Sequence, residues 1–207
     1  MFGMGLPAEK HRYTIQEYLQ LEDRAVERHE FHAGEILAMS GGTFAHSRIN
    51  ANLIIAFGNR LKDGPCAPLD SNMRVRIGRQ ENYVYPDITV ICGPPQFDQD
   101  DLKKTTILNP HVIVEVLSDS TESYDRGAKF NLYRQVPSLE EYILVSQREP
   151  LIETFVRQAD GAWLFNAWKA LEASVMVRSL NISLPLMEIY SRIEFEESTR
   201  SAFPKAE

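Results

Sequence analysis

Apolar residues recur along this chain with two different periods. Ile49, Leu53, Phe57 and Leu61 are spaced by four, the signature of one buried helical face, and predict a helix over residues 44–62 ended by Asp63-Gly64-Pro65. Three other runs are short, apolar and rich in β-branched residues. Asp87-Ile88-Thr89-Val90-Ile91, Val112-Ile113-Val114-Glu115-Val116-Leu117 and Glu141-Tyr142-Ile143-Leu144-Val145 predict buried strands. Shorter strands are expected at 66–69 and 73–77. Residues 27–39 read as a hairpin turning at Ala33-Gly34. Residues 152–157 and 163–169, around Asp160-Gly161, read as an antiparallel hairpin on the sheet edge.

Polar punctuation places the remaining elements. Thr14-Ile15-Gln16-Glu17 has the spacing of a capping box and opens a short peripheral helix through Leu21. Ser40-Gly41-Gly42 separates the first hairpin from the long helix, and Gly93-Pro94-Pro95 with the polar stretch 98–104 forms a surface loop. A further helix is expected over residues 124–135, closed by Pro137, and a last short one over 186–192. This order predicts an α/β fold, a mixed central β-sheet flanked by helices with an added antiparallel hairpin. It would occupy residues 13–195, between tails at 1–12 and 196–207, with no internal repeat.

Composition narrows the function. At 207 residues, 43% hydrophobic and 25% charged, the chain suits one globular domain with a core that needs no staples. Cys66 and Cys92 have no Cys-x-x-Cys spacing, which fits neither a zinc knuckle nor a disulfide-dense secreted scaffold and suits a reducing compartment. No stretch approaches the roughly 18 apolar residues of a membrane helix, so a soluble cytoplasmic protein is expected. A net charge of -7 argues against a broad basic surface for nucleic acid. Local positive charge survives in Met73-Arg74-Val75-Arg76-Ile77, where alternation puts both arginines on one face as substrate contacts or as solvated surface.

Two acids carry the chemistry. Alternation sets Glu115 beside Ile113 and Leu117, among apolar neighbours, and Asp87 opens an apolar strand directly after Pro86. An ionised carboxylate in such a place costs several kcal/mol or more unless it is paired, protonated or metal-bound. Asp125, Lys129 and Tyr133 lie at i, i+4 and i+8 on one helical face, where Asp125 and Lys129 read equally as a surface ion pair. His46 and Asn50 lie one turn apart on the long helix. His29 and His32, three apart on a strand, do not have a metal-ligand spacing, and Ser118 lacks a Gly-x-Ser-x-Gly elbow.

Taken in order, Tyr85-Pro86-Asp87, Val114-Glu115-Val116 and the helix bearing Asp125, Lys129 and Tyr133 resemble the PD-(D/E)XK nuclease superfamily. The chain is more closely similar to its Uma family of restriction-endonuclease-like proteins, from Tyr13 to Ile193 and through Gly34-Glu35-Ile36 and His46. The resemblance implies a metal-dependent endonuclease that hydrolyses phosphodiester bonds of nucleic acid, taken as DNA. Asp87, Glu115 and the Val116 carbonyl would hold Mg²⁺ or Mn²⁺, since such ions take hard oxygen ligands and keep several waters. Leu117 stands where the superfamily's strand lysine is usual, and the Uma-like pattern supplies the amine from the next helix, here Lys129. His46, Glu35, Asp125 and Tyr133 would support the site, with Glu30 the other acid of the hairpin. A homodimer is expected, because cutting both strands of a duplex is easiest with two symmetric sites; the 163–168 segment is then a dimer edge or core. The acidic charge and Leu117 favour a second reading, a binding or scaffold module that keeps the fold without turnover.

Overall fold

The computed structural model describes residues 11–39, 41–78 and 82–195. The tails expected at 1–12 and 196–207 lie outside them except for positions 11 and 12.

The central layer is a six-stranded mixed sheet. Its order runs from β11 (Trp163–Lys169) and β10 (Leu151–Arg157) through β9 (Glu141–Ser146) and β8 (Val112–Leu117) to β6 (Ile88–Cys92) and β3 (Cys66–Asp70). Within this sheet, among the described residues, only β8 and β9 run parallel, and the connection between them is long enough to hold a helix. On one face lies α2 (Phe44–Leu61), whose Ile49, Leu53, Ala56 and Phe57 are buried against Ile88, Val90, Val112, Val114 and Val116. Each fully buried large side chain contributes about 1.5–3 kcal/mol, so this stripe anchors the helix more firmly than its propensity would. The hydroxyl oxygen of Thr43 caps the helix by accepting the His46 N–H at 3.1 Å.

The other face of the sheet carries Ile113, Leu117, Tyr142 and Leu144, packed on Tyr133, Val136 and Leu139 and on Val75, Ile77 and Val84 of a second sheet. That five-stranded sheet has the order β2 (Glu35–Ala38), β1 (His29–His32), β5 (Asn82–Val84), β4 (Arg74–Ile77), β7 (Thr106–Ile107). Its far side is covered by α1 (Ile15–Glu22), with Tyr18 stacked on Phe31 at 5.0 Å between ring centres. Thr14 and Glu17 form the expected capping box. The β1–β2 turn uses Ala33 and Gly34 at φ 47° and 99°, the left-handed region in which a two-residue hairpin turn keeps the strand twist.

Three features differ from the sequence reading. The largest difference is the second sheet: β5 and β7, three and two residues long, are too short for periodicity to detect, and β12 (Ser174–Val177) and β13 (Ile182–Pro185) form a further hairpin. The expected single helix after β8 is three joined pieces. These are α3 (Glu122–Tyr124), a π-helical turn over Asp125–Lys129, and α4 (Phe130–Tyr133). Finally, Cys66 and Cys92, read as suited to a reducing compartment, stand directly opposite across β3 and β6 and are joined by a disulfide. A spacing of 26 residues hides a pairing that only the strand register creates. A short helix, α5 (Leu186–Ile189), follows β13.

Candidate active site

Strand β8 delivers Glu115 to the face that looks toward the second sheet, in the row of Ile113 and Leu117, where it is 3% exposed. Asp87 sits just before β6, and the β6–β8 register brings it beside the end of β8. Its Oδ2 accepts the Val116 N–H at 2.8 Å, and the Asp87 N–H points to Glu115 Oε2 at 3.4 Å. In an extended strand a residue's N–H and C=O project to the same side, so the Val116 carbonyl also faces the Asp87 side. The two acids and that carbonyl therefore share one edge of β8.

Lys129 comes from the π-helical turn. Its Nζ lies 2.9 Å from Glu115 Oε1, 3.4 Å from Glu30 Oε1 and 3.6 Å from Asp125 Oδ1, and the residue is 5% exposed. The Tyr133 hydroxyl donates to the same Glu115 oxygen at 2.7 Å. Turns of π-helix are uncommon and cluster at functional sites. Here Asp125, Lys129 and Tyr133 are all buried, against the alternative of a solvated ion pair.

The second sheet supplies the other acid of the hairpin, Glu30. Glu30 in β1 accepts the Tyr85 N–H at 3.1 Å, meets His32 Nε2 at 3.0 Å and accepts the Tyr124 hydroxyl at 3.3 Å, besides facing Lys129. Glu35 begins β2 opposite His32, so of the two hairpin acids it is Glu30 that reaches the lysine. Alternation in His29-Glu30-Phe31-His32 was the available signal, since Phe31 turns to the α1 side and Glu30 to the other. From α2, His46 Nε2 lies 3.1 Å from Asp87 Oδ1, and Asn50 Nδ2 donates to the same oxygen at 3.3 Å. Gln147 ties this helix start to the strand end: it accepts from the Thr43 hydroxyl at 2.6 Å and donates to the Leu117 carbonyl at 2.7 Å.

Electrostatically the group is acid-rich. Burial, and then the neighbouring Asp125 and Asp87 charges, push Glu115 well above the usual carboxylate range despite Lys129. Burial also raises Asp125. Burial works against the Lys129 charge, yet Glu115, Glu30 and Asp125 outweigh it and hold the amine protonated. Burial likewise opposes ionisation of Glu30, but Lys129, His32 and the Tyr85 N–H bring it down to about 2. One ammonium thus serves three carboxylates, and of these Glu30 is the one brought below the usual carboxylate range.

Arg74 and Arg76 do not join this group. Arg74 is 1% exposed and pairs with Asp101 at 3.0 Å, while Arg76 pairs with Asp98 at 2.7 Å and Asp100 at 3.0 Å. The loop after β6 folds back over β4 and neutralises both guanidinium groups, a long-range return that strand alternation does not reveal.

The sequence profile of the Uma2 family, described as "Putative restriction endonuclease", matches residues 15–186. The chain belongs to this family. Two relatives come from Synechocystis sp. (strain ATCC 27184 / PCC 6803 / Kazusa). The uncharacterized protein slr1290 is 39% identical over 89% of this chain and 94% of its own, and the uncharacterized protein sll1609 is 37% identical over 73% and 84%. The fold matches the crystal structure of a "putative nuclease belonging to DUF820" from Anabaena variabilis ATCC 29413, with a TM-score of 0.70 at 16% identity over 86% of this chain and 98% of that one. This Uma2 chain therefore has the restriction-endonuclease-like fold expected from its sequence.

The donor set suits a hard divalent cation. Among the described residues no three His, Cys, Asp or Glu side chains gather closely enough to enclose a metal by themselves. A magnesium-type ion does not require that, because one or two carboxylates with waters and a substrate oxygen suffice. Asp87, Glu115 and the Val116 carbonyl offer hard oxygens only, and the surplus of carboxylates over amines would be offset by a cation there.

Proposed function

We propose that this Uma2 chain is a divalent-metal-dependent endonuclease acting on DNA, with Asp87, Glu115 and the Val116 carbonyl holding Mg²⁺ or Mn²⁺ and Lys129 completing the catalytic group. The observation that carries the reading is the approach of an amine from the π-helical turn, at 2.9 Å, to a buried strand carboxylate whose neighbour across the strand pair is a second carboxylate. Once bound, the ion would polarise the phosphoryl oxygens and lower the pKa of an attacking water.

The protein's own groups would do the rest. Lys129 stands where its ammonium stabilises negative charge developing on the phosphoryl oxygens, a preorganised electrostatic role that is strongest in a site shielded from solvent. Glu30, Asp125 and the Tyr124 ring, 5.8 Å from Nζ, hold that amine in place. Tyr133 orients Glu115 through its 2.7 Å hydrogen bond, and His46 and Asn50 orient Asp87. A second reading, a binding module of the same fold without turnover, is favoured by the acidic balance of the chain, at -7.

Calorimetric titration of Mn²⁺ into the wild type and Asp87→Asn separates the two. One ion bound per wild-type chain, with affinity reduced at least tenfold in the variant, supports the endonuclease. Equal binding by both, or none by the wild type, favours the module.

A further inference from the structure

The two edges of the six-stranded sheet are built differently. Edge strand β3 is blunted: Pro68 lies at its centre, Asp70 at its end, and Cys66 fastens it to β6. Proline and charge on an edge are the usual protection against pairing with another chain. Edge strand β11 spans seven residues, Trp163–Lys169, with neither proline nor charge before Lys169. Among the described residues no strand pairs with its outer side.

Its hydrogen-bond phase can be fixed. At one end of the β10–β11 ladder the Gln158 N–H donates to the Ala162 carbonyl at 2.8 Å, and at the other the Ala170 N–H donates to the Pro150 carbonyl at 3.1 Å. Alternation in an antiparallel pair then turns the N–H and C=O of Leu164, Asn166 and Trp168 toward β10. Those of Trp163, Phe165, Ala167 and Lys169 point out of the sheet. Phe165 is 51% exposed and Leu164 40%, so the edge is apolar as well as unpaired. The Asn166 side-chain nitrogen is buried with no hydrogen-bond partner.

We propose that β11 pairs antiparallel with β11 of a second copy of this chain, about a two-fold axis through Asn166. This register sets Trp163 opposite the partner's Lys169 and Phe165 opposite the partner's Ala167, and uses every outward-facing backbone group in about eight hydrogen bonds. Registers centred on Phe165 or Ala167 use only about six. The axis also brings the two Asn166 residues opposite each other as a non-hydrogen-bonded pair, with Cα atoms about 4.5 Å apart. The two Lys169 ammonium groups fall at opposite ends of the pairing. The result is one continuous sheet across two chains, closed by an isologous contact. The inference is independent of any catalytic activity.

Sedimentation of the full chain and two variants tests it. The wild type is expected at about 47 kDa, twice the 23.6 kDa chain. Ala167→Pro removes an N–H that points outward and leaves the ladder to β10 intact, so this variant is expected to sediment as a monomer with an unchanged far-ultraviolet spectrum. A monomeric wild type at tens of micromolar, or a dimeric Ala167→Pro, overturns the proposal. Should Ala167→Pro fail to fold, Asn166→Cys decides. Opposed across the axis, two such cysteines lie within disulfide reach, and mild oxidation should give a reductant-sensitive dimer band that Leu164→Cys does not give. Equal bands from both, or from neither, rule the register out.

Discussion

Lys129 Nζ lies 2.9 Å from Glu115 Oε1 although the two residues come from different elements and both are almost fully buried. The pair is unequal in its surroundings, because Glu115 has further carboxylates for neighbours while Lys129 is, among the described residues, the one ammonium beside them.

That inequality predicts opposite effects from removing each partner. Glu115→Gln keeps an acceptor for the Tyr133 hydroxyl and takes one charge out of an acid-rich group, so its unfolding free energy should stay within about 1 kcal/mol of wild type or rise. Lys129→Met leaves buried carboxylates without their counter-charge and should cost about 3–5 kcal/mol. Urea unfolding of both variants measures the difference. Equal destabilisation would show that the pair is an ordinary structural ion pair.

Metal binding should strengthen as pH rises. A ligand carboxylate must be ionised, and burial with the nearby Asp125 and Asp87 charges raises Glu115 well above its ordinary 4.5. His46, which burial alone would lower, is raised above 6.5 by its hydrogen bond to Asp87, so its charge also competes for that carboxylate until it titrates. Both protons oppose the cation at low pH. Calorimetry in two buffers of different ionisation enthalpy should show proton release on Mn²⁺ binding and an affinity that increases between pH 5.5 and about 8.

The Arg74–Asp101 pair makes a separate prediction about stability. Burial raises Asp101, but hydrogen bonds from Thr106 and Thr105 and the charge of Arg74 hold it below the ordinary aspartate value of 3.8. A depressed folded pKa contributes stability that is complete above the unfolded value and is lost as pH falls through the folded one. Asp101→Asn should therefore be less stable than wild type by about 3 kcal/mol at pH 7. The gap should narrow below pH 3.8. Thermal unfolding at pH 7 and pH 3 compares them.

The Cys66–Cys92 bond closes a loop of 26 residues, which in the chain-entropy account is worth about 3.5 kcal/mol. Adding a dithiol reductant should lower the urea midpoint of the wild type by that equivalent and leave a Cys66→Ser, Cys92→Ser double variant unmoved.

What the sequence could reveal follows from range. Glu115 was legible because strand alternation is local and a lone acid among Ile113, Val114, Val116 and Leu117 has to be accommodated. The Thr14–Glu17 box and the four-residue stripe of α2 are local in the same sense. The π-helical turn was not legible: Asp125, Lys129 and Tyr133 fit an α-helical spacing equally well, and no local signal marks the change of pitch. The same holds for Arg74 and Arg76, which alternation aims correctly but whose partners Asp98, Asp100 and Asp101 return only through the loop. Glu30 reached the site by way of the unforeseen β1–β5 pairing, which sets the hairpin beside Tyr85.

Plasmid nicking tests the central claim most directly. Supercoiled DNA is incubated with wild type, Asp87→Asn and Glu115→Gln, each with Mg²⁺ and with excess chelator. The account predicts nicking by the wild type that requires the metal and falls at least a hundredfold in both folded variants. Nicking that persists in either variant, or that survives chelation, would contradict it.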